Sequence, residues 1–81
     1  MPNTKRVLIT DHLRSEADFY RALGNLRQTG ERPAPRNLDA LADFLRELGL
    51  DSIVCADWCL PEADSRRLRR VLDDLGVRLL L

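Results

Sequence analysis

Apolar and polar positions alternate between two periods along this 81-residue chain. Val7-Leu8-Ile9-Thr10 is aliphatic and β-branched and predicts a short buried strand. Asp11 to Arg14 reads as a connection. Ser15 then has the character of a helix N-cap, with Asp18 three residues on as an approximate capping box. Phe19, Ala22, Leu23 and Leu26 follow at i, i+3, i+4 and i+7, the spacing of one helical face. Gly24 falls inside this helix and weakens it by about 1 kcal/mol relative to alanine.

The stretch from Gln28 to Arg36 contains Gly30, Pro33 and Pro35 and predicts an extended loop, because a proline disfavours helix at itself and at the residue before it. Asn37 is a good N-cap. Leu38, Leu41, Leu45 and Leu48, with Phe44 beside them, predict a second helix that Gly49 ends as a C′ glycine. Asp51 to Trp58 reads as a second strand, and its apolar run Ile53 to Ala56 suits a strand covered on both faces. Pro61 to Ser65 opens a third helix, marked by Leu68, Val71, Leu72 and Leu75 and closed by Gly76. Val77 to Leu81 predicts the last strand. The order β-α-α-β-α-β implies an α/β fold: a three-stranded parallel sheet packed with helices and joined by right-handed crossovers. The length fits one domain over residues 1–81, without internal repeats.

Composition narrows the class. Apolar residues make up 44% and charged residues 32%, which fits a folded chain rather than a disordered one. No apolar run approaches the length of a membrane span, and Val7-Leu8-Ile9 is too short for a signal-peptide core. A cytoplasmic location without membrane contact is expected. Cys55 and Cys59 are then thiols rather than a disulfide, Cys55 as a small core hydrophobe. Their C-x-x-x-C spacing has no second Cys or His pair nearby, and His12 is distant in sequence, so no metal or other cofactor is expected.

Charge is the most informative feature. The net charge is zero, but its distribution is uneven. Residues 1–36 carry a balance of +3, residues 37–65 a balance of −6, and residues 66–81 a balance of +3. Asp39, Asp43 and Glu47 are four apart and stack along one face of the second helix. A solvated helix face is the plain reading of such a row. The alternative is a set of carboxylates presented to Arg and Lys of a partner.

The stretch Arg36-Asn37-Leu38-Asp39-Ala40-Leu41, followed by Asp43, resembles the core motif of the barstar family, in which G-R/E-N-L-D-A-L-W-D opens the second helix. Val7 to Leu26, Ile53 to Trp58 and the closing helix and strand are similar to the remaining family elements. The specific part is N-L-D-A-L-x-D. Pro33, Ala34 and Pro35 stand where the family places aromatics and glycine, and Ala42 replaces the motif tryptophan.

The resemblance implies a protein inhibitor without chemistry of its own, the immunity partner of a bacterial nuclease toxin and a monomer when free. In that family the acidic helix and its preceding loop plug the active site of a basic ribonuclease in place of RNA phosphates. Carried over, the partner-binding residues are Pro35, Arg36, Asn37, Asp39, Ala42, Asp43 and Glu47. Asp39 and Asp43 match the two motif aspartates, and Asn37 is more a cap than a contact.

Two other readings arise. Trp58-Cys59-Leu60-Pro61 looks like part of the W-C-G-P-C turn of thioredoxin-like redox proteins, with Glu62 in place of the second cysteine. The helix bearing Arg66-Arg67-Leu68-Arg69-Arg70 could contact nucleic acid phosphates, but Asp73 and Asp74 are available as intrahelical partners and no aromatics interleave. Direct binding of nucleic acid is therefore not expected.

Overall fold

The computed structural model describes residues 5–26 and 33–81. Part of the loop expected over 28–36 therefore lies outside the described residues. The elements are β1 (Arg6–Ile9), α1 (Glu16–Gly24), α2 (Leu38–Leu48), β2 (Ser52–Cys55), α3 (Glu62–Asp74) and β3 (Arg78–Leu80). The three strands form one parallel sheet in the order β1-β2-β3. This is the α/β architecture that the alternation of periods predicts.

Local signals explain the element ends. The backbone N–H of Asp18 donates to Oγ of Ser15 at 3.2 Å. Asp18 returns a bond one residue earlier than a standard capping box, accepting from the N–H of Arg14 at 3.0 Å. Asn37 caps α2 by accepting from the N–H of Ala40 at 2.8 Å. Gly49 and Gly76 close α2 and α3 with φ of 65° and 72°, a left-handed conformation that a side chain would strain. Helix α1 ends at Gly24, two residues before Leu26, which still packs against the core.

One core joins sheet and helices. Val7, Ile9, Ile53 and Cys55 point to the same side of the sheet as Phe19, Leu23, Leu41, Leu45, Leu68 and Leu72. In register, Val7 lies opposite Ile53, and Ile53 opposite Leu79. The alternate residues Leu8, Val54 and Leu80 pair across the other face, where Leu8 is 59% exposed. The expected strand covered on both faces is thus corrected to a sheet covered on one. The topology is the reason: crossovers of one hand that step in one direction, β1 to β2 to β3, leave every helix on the same side. β2 is also shorter than the expected Asp51 to Trp58, and Trp58 makes only an isolated parallel bridge to Leu13. No helix among the described residues is long and apolar enough to cross a membrane.

Polar clamps tie the elements together. The N–H of Glu16 at the start of α1 donates to Asp64 of α3 at 3.1 Å, and Arg67 pairs with both Asp64 and Glu16. Trp58 meets Phe19 edge-on with ring centroids 5.7 Å apart, and its indole N–H donates to Ser65 at 3.1 Å. Trp58 is therefore a packing residue.

Candidate functional site

The acidic row is placed by the helical period of α2. Leu41, Phe44, Leu45 and Leu48 turn one face of the helix into the core, so Asp39, Asp43 and Glu47 fall on the exposed side. Asp39 sits in the first turn, where the helix dipole favours an anion. Asp43 lies 3.4 Å from Arg46, and both side chains are largely exposed. A surface pair of this kind contributes little and leaves the carboxylate able to exchange partners.

Beside this row lies a groove of about 420 Å³, lined by Pro33, Ala34, Pro35, Arg36, Asn37, Ala40, Asp43, Phe44 and Glu47. One wall is the segment before α2 and the other is the acidic face of α2. Five of the sequence-predicted residues meet here: Pro35, Arg36, Asn37, Asp43 and Glu47. Pro35 is buried and anchors the segment, while Arg36 and Asn37 are exposed. Asp39 flanks the groove one turn before Asp43 without lining it. Ala42 is half-buried and does not line it either.

The segment is held close to α1. A Cβ built on Gly24 would stand 2.7 Å from Cβ of Ala34 and 3.1 Å from its Cα. Gly24 thus has a structural purpose that periodicity alone does not reveal: it lets the groove's outer wall rest on the end of α1. A larger groove of about 580 Å³ runs between α3 and β3, but its charges are mixed, with Arg69 and Arg78 against Asp73.

The Arg-rich helix is arranged differently from expectation. Arg66 pairs with Glu62 at 2.9 Å and Arg67 with Asp64, both towards the helix N-terminus. Among the described residues, no ion pair links Asp73 or Asp74 to these arginines. Glu62 and Asp64 lie four and three residues before their arginines, whereas Asp73 and Asp74 come within that spacing only of Arg69 and Arg70.

The two cysteines are free, Cys55 buried and Cys59 exposed. Burial pushes the Cys55 thiol up to about 11. Cys59 donates to Oδ1 of Asp57 at 3.2 Å, and Oδ2 of Asp57 lies 2.6 Å from Nδ1 of His12. Hydrogen bonds from His12 and from Cys59 hold the Asp57 carboxyl below its usual value, and the same contact with Asp57 raises the Cys59 thiol. A redox or nucleophilic cysteine needs the opposite shift. The order Cys-Asp-His also puts the carboxylate, not the imidazole, in hydrogen-bond contact with the sulfur, and a carboxylate held below its usual value is a weak base. The meeting of His12 with Asp57 and Cys59 is invisible to sequence reasoning, because it spans 45 residues of separation.

The chain matches no protein-family model, no curated protein and no solved structure.

Proposed function

We propose that this chain is a barstar-type inhibitor that binds a basic ribonuclease and occludes its active site. The observation that supports this reading is the groove in which the segment Pro33–Asn37 and the acidic face of α2 form one continuous surface. A ribonuclease active site must hold phosphates with Arg, Lys and His. Carboxylates on a capped helix, backed by a packed core, offer such a site the same charge in fixed positions. Their spacing costs little to maintain, since the helix is ordered before binding. Charge complementarity of this kind raises the association rate and selects the partner. Asp39 and Asp43 are the leading contacts, with Glu47 further along the row and Arg36 and Asn37 at the groove's edge. Pro35 acts from beneath, by fixing the segment. The absence of an aromatic at Ala42 and before Asn37 shifts the weight of recognition onto charge.

The reading needs no catalysis by the chain and no contact with nucleic acid or membrane. Cleavage of a fluorogenic RNA substrate by small basic bacterial ribonucleases tests it. Stoichiometric addition of the chain suppresses cleavage by its target, and the Asp39→Ala, Asp43→Ala double variant, folded to the same extent, restores it. Suppression that survives in the double variant removes this surface from the account.

A further inference from the structure

His12, Asp57 and Cys59 form a second cluster, remote in sequence from the acidic helix. One donor atom from each lies within 4.8 Å of those of the other two. The three donors differ in kind: an imidazole nitrogen, a carboxylate oxygen and a thiol sulfur.

The backbone fixes this arrangement. Beyond the regular ladder, Leu13 and Trp58 form a parallel bridge. The N–H of Leu13 donates to the carbonyl of Asp57 at 3.0 Å, and the N–H of Cys59 donates to the carbonyl of Leu13 at 2.8 Å. Leu13 is fully buried and Trp58 packs on the core. Side chains alternate along extended backbone, so inward Leu13 and Trp58 turn His12, Asp57 and Cys59 outward together. The cluster also lies just past the carboxyl ends of the adjacent parallel strands β1 and β2.

We infer that His12, Asp57 and Cys59 form a surface binding site for a divalent transition-metal ion of borderline softness, with Zn²⁺ the best fit. Mixed nitrogen, oxygen and sulfur donors are the ligand set of Zn²⁺, which takes them at about 2.0–2.3 Å. Those bond lengths bring tetrahedral donors to about 3–4 Å from one another. Of the two contacts already made, the 3.2 Å one between Cys59 and Asp57 lies within this range, and the 2.6 Å one between His12 and Asp57 is shorter, so these two exposed side chains part slightly to admit an ion. Binding inserts one ion where the hydrogen-bonding protons now lie. The Cys59 sulfur exchanges its proton, released to solvent, for a metal–sulfur bond; the Nδ1 proton that His12 shares with Asp57 is also given up, and the ring keeps its single proton on Nε2 so that the neutral imidazole coordinates through Nδ1. The side chains of His12 and Asp57 are 53% and 46% exposed, which leaves a fourth position open to water. Ca²⁺ and Mg²⁺ are disfavoured, because both demand oxygen ligands.

Titration of the reduced, full-length chain with Co²⁺ tests the inference, Co²⁺ being a coloured stand-in for Zn²⁺. Saturation at one ion per chain is expected, with a near-ultraviolet sulfur-to-cobalt charge-transfer band that Zn²⁺ abolishes by displacement. The ring signals of His12, the single histidine, shift with the same midpoint when Zn²⁺ is added. Cys59→Ser removes the band, and Cys59→Ser and His12→Gln each weaken binding by more than about tenfold. Both positions are exposed, and circular dichroism checks that the variants fold. Zn²⁺ also raises the thermal midpoint of the parent but not of Cys59→Ser. Absence of the charge-transfer band, or a Cys59→Ser variant that binds as tightly as the parent, overturns the assignment.

Discussion

Gly24 and Ala34 meet where the end of α1 supports the segment leading into α2, so closely that a Cβ on Gly24 would stand 2.7 Å from that of Ala34. Two effects compete when Gly24 becomes alanine. Helix propensity favours the change by about 1 kcal/mol. Overlap opposes it, and because the Cα of Ala34 is only 3.1 Å away, backbone must move rather than the tip of a flexible side chain. Overpacking of this kind costs about 1–3 kcal/mol, so a net loss of stability is expected for Gly24→Ala. Urea unfolding measures it. A gain in stability would show that the segment yields at no cost.

The cap of α2 gives a second expectation. Asn37→Ala removes the acceptor of the Ala40 N–H and should cost about 1 kcal/mol. Asn37→Asp and Asn37→Ser keep an acceptor there and should recover most of the loss. If the aspartate variant is as unstable as the alanine variant, Asn37 contributes something other than its cap.

Ser52 lies between Arg6 and Arg78 in the sheet register, yet its side chain is buried and its hydroxyl has no hydrogen-bond partner among the described residues. A buried polar group without a partner retains its desolvation cost, of about 1–3 kcal/mol. Ser52→Ala is expected to leave the unfolding midpoint unchanged or to raise it. A clear fall would mean that the hydroxyl is satisfied in solution.

Cys55 sets a pH dependence. Its thiol is raised from an ordinary 9.0 to about 11 by burial, so the folded state favours the protonated form. That contribution to stability is complete below pH 9 and is lost as pH rises through about 11. Unfolding midpoints should therefore decline over this interval, and Cys55→Ala should flatten the decline. In the native state near pH 8, a thiol reagent should label only Cys59, and more slowly than a free thiol, because Asp57 holds the Cys59 proton. Rapid reaction of both thiols would contradict the burial of Cys55.

Local features of this fold are legible from residue order, and global ones are not. Ser15, Asn37, Gly49 and Gly76 mark element ends because capping depends on residues within one turn. The apolar rows of α2 and α3 point to the core for the same reason. That Leu8 faces solvent and Val54 is only half-buried cannot be read this way. Both are apolar, and only the direction of successive crossovers decides which face the helices cover.

The candidate sites divide similarly. Asp39, Asp43 and Glu47 share a helix, so their common face follows from spacing. The wall formed by Pro33 and Ala34 and the need for Gly24 depend on tertiary packing. His12, Asp57 and Cys59 meet through two loops joined by Leu13 and Trp58, and no local pattern announces that pairing. Spacing alone offers Asp73 and Asp74 as partners three or four residues after Arg69 and Arg70. Glu62 and Asp64 offer the same spacing to Arg66 and Arg67, and these are the pairs that form.

Isothermal titration of the chain against small basic bacterial ribonucleases at low and high salt decides whether the acidic face of α2 is an inhibitory surface. A barstar-type inhibitor binds its target 1:1, and more weakly at high salt because exposed charges are screened. Asp43→Ala is expected to lose at least about tenfold in affinity, or about 1.4 kcal/mol, while its stability changes by no more than about 0.5 kcal/mol. Binding to none of these ribonucleases, or binding that Asp43→Ala leaves intact, would contradict the proposed inhibition.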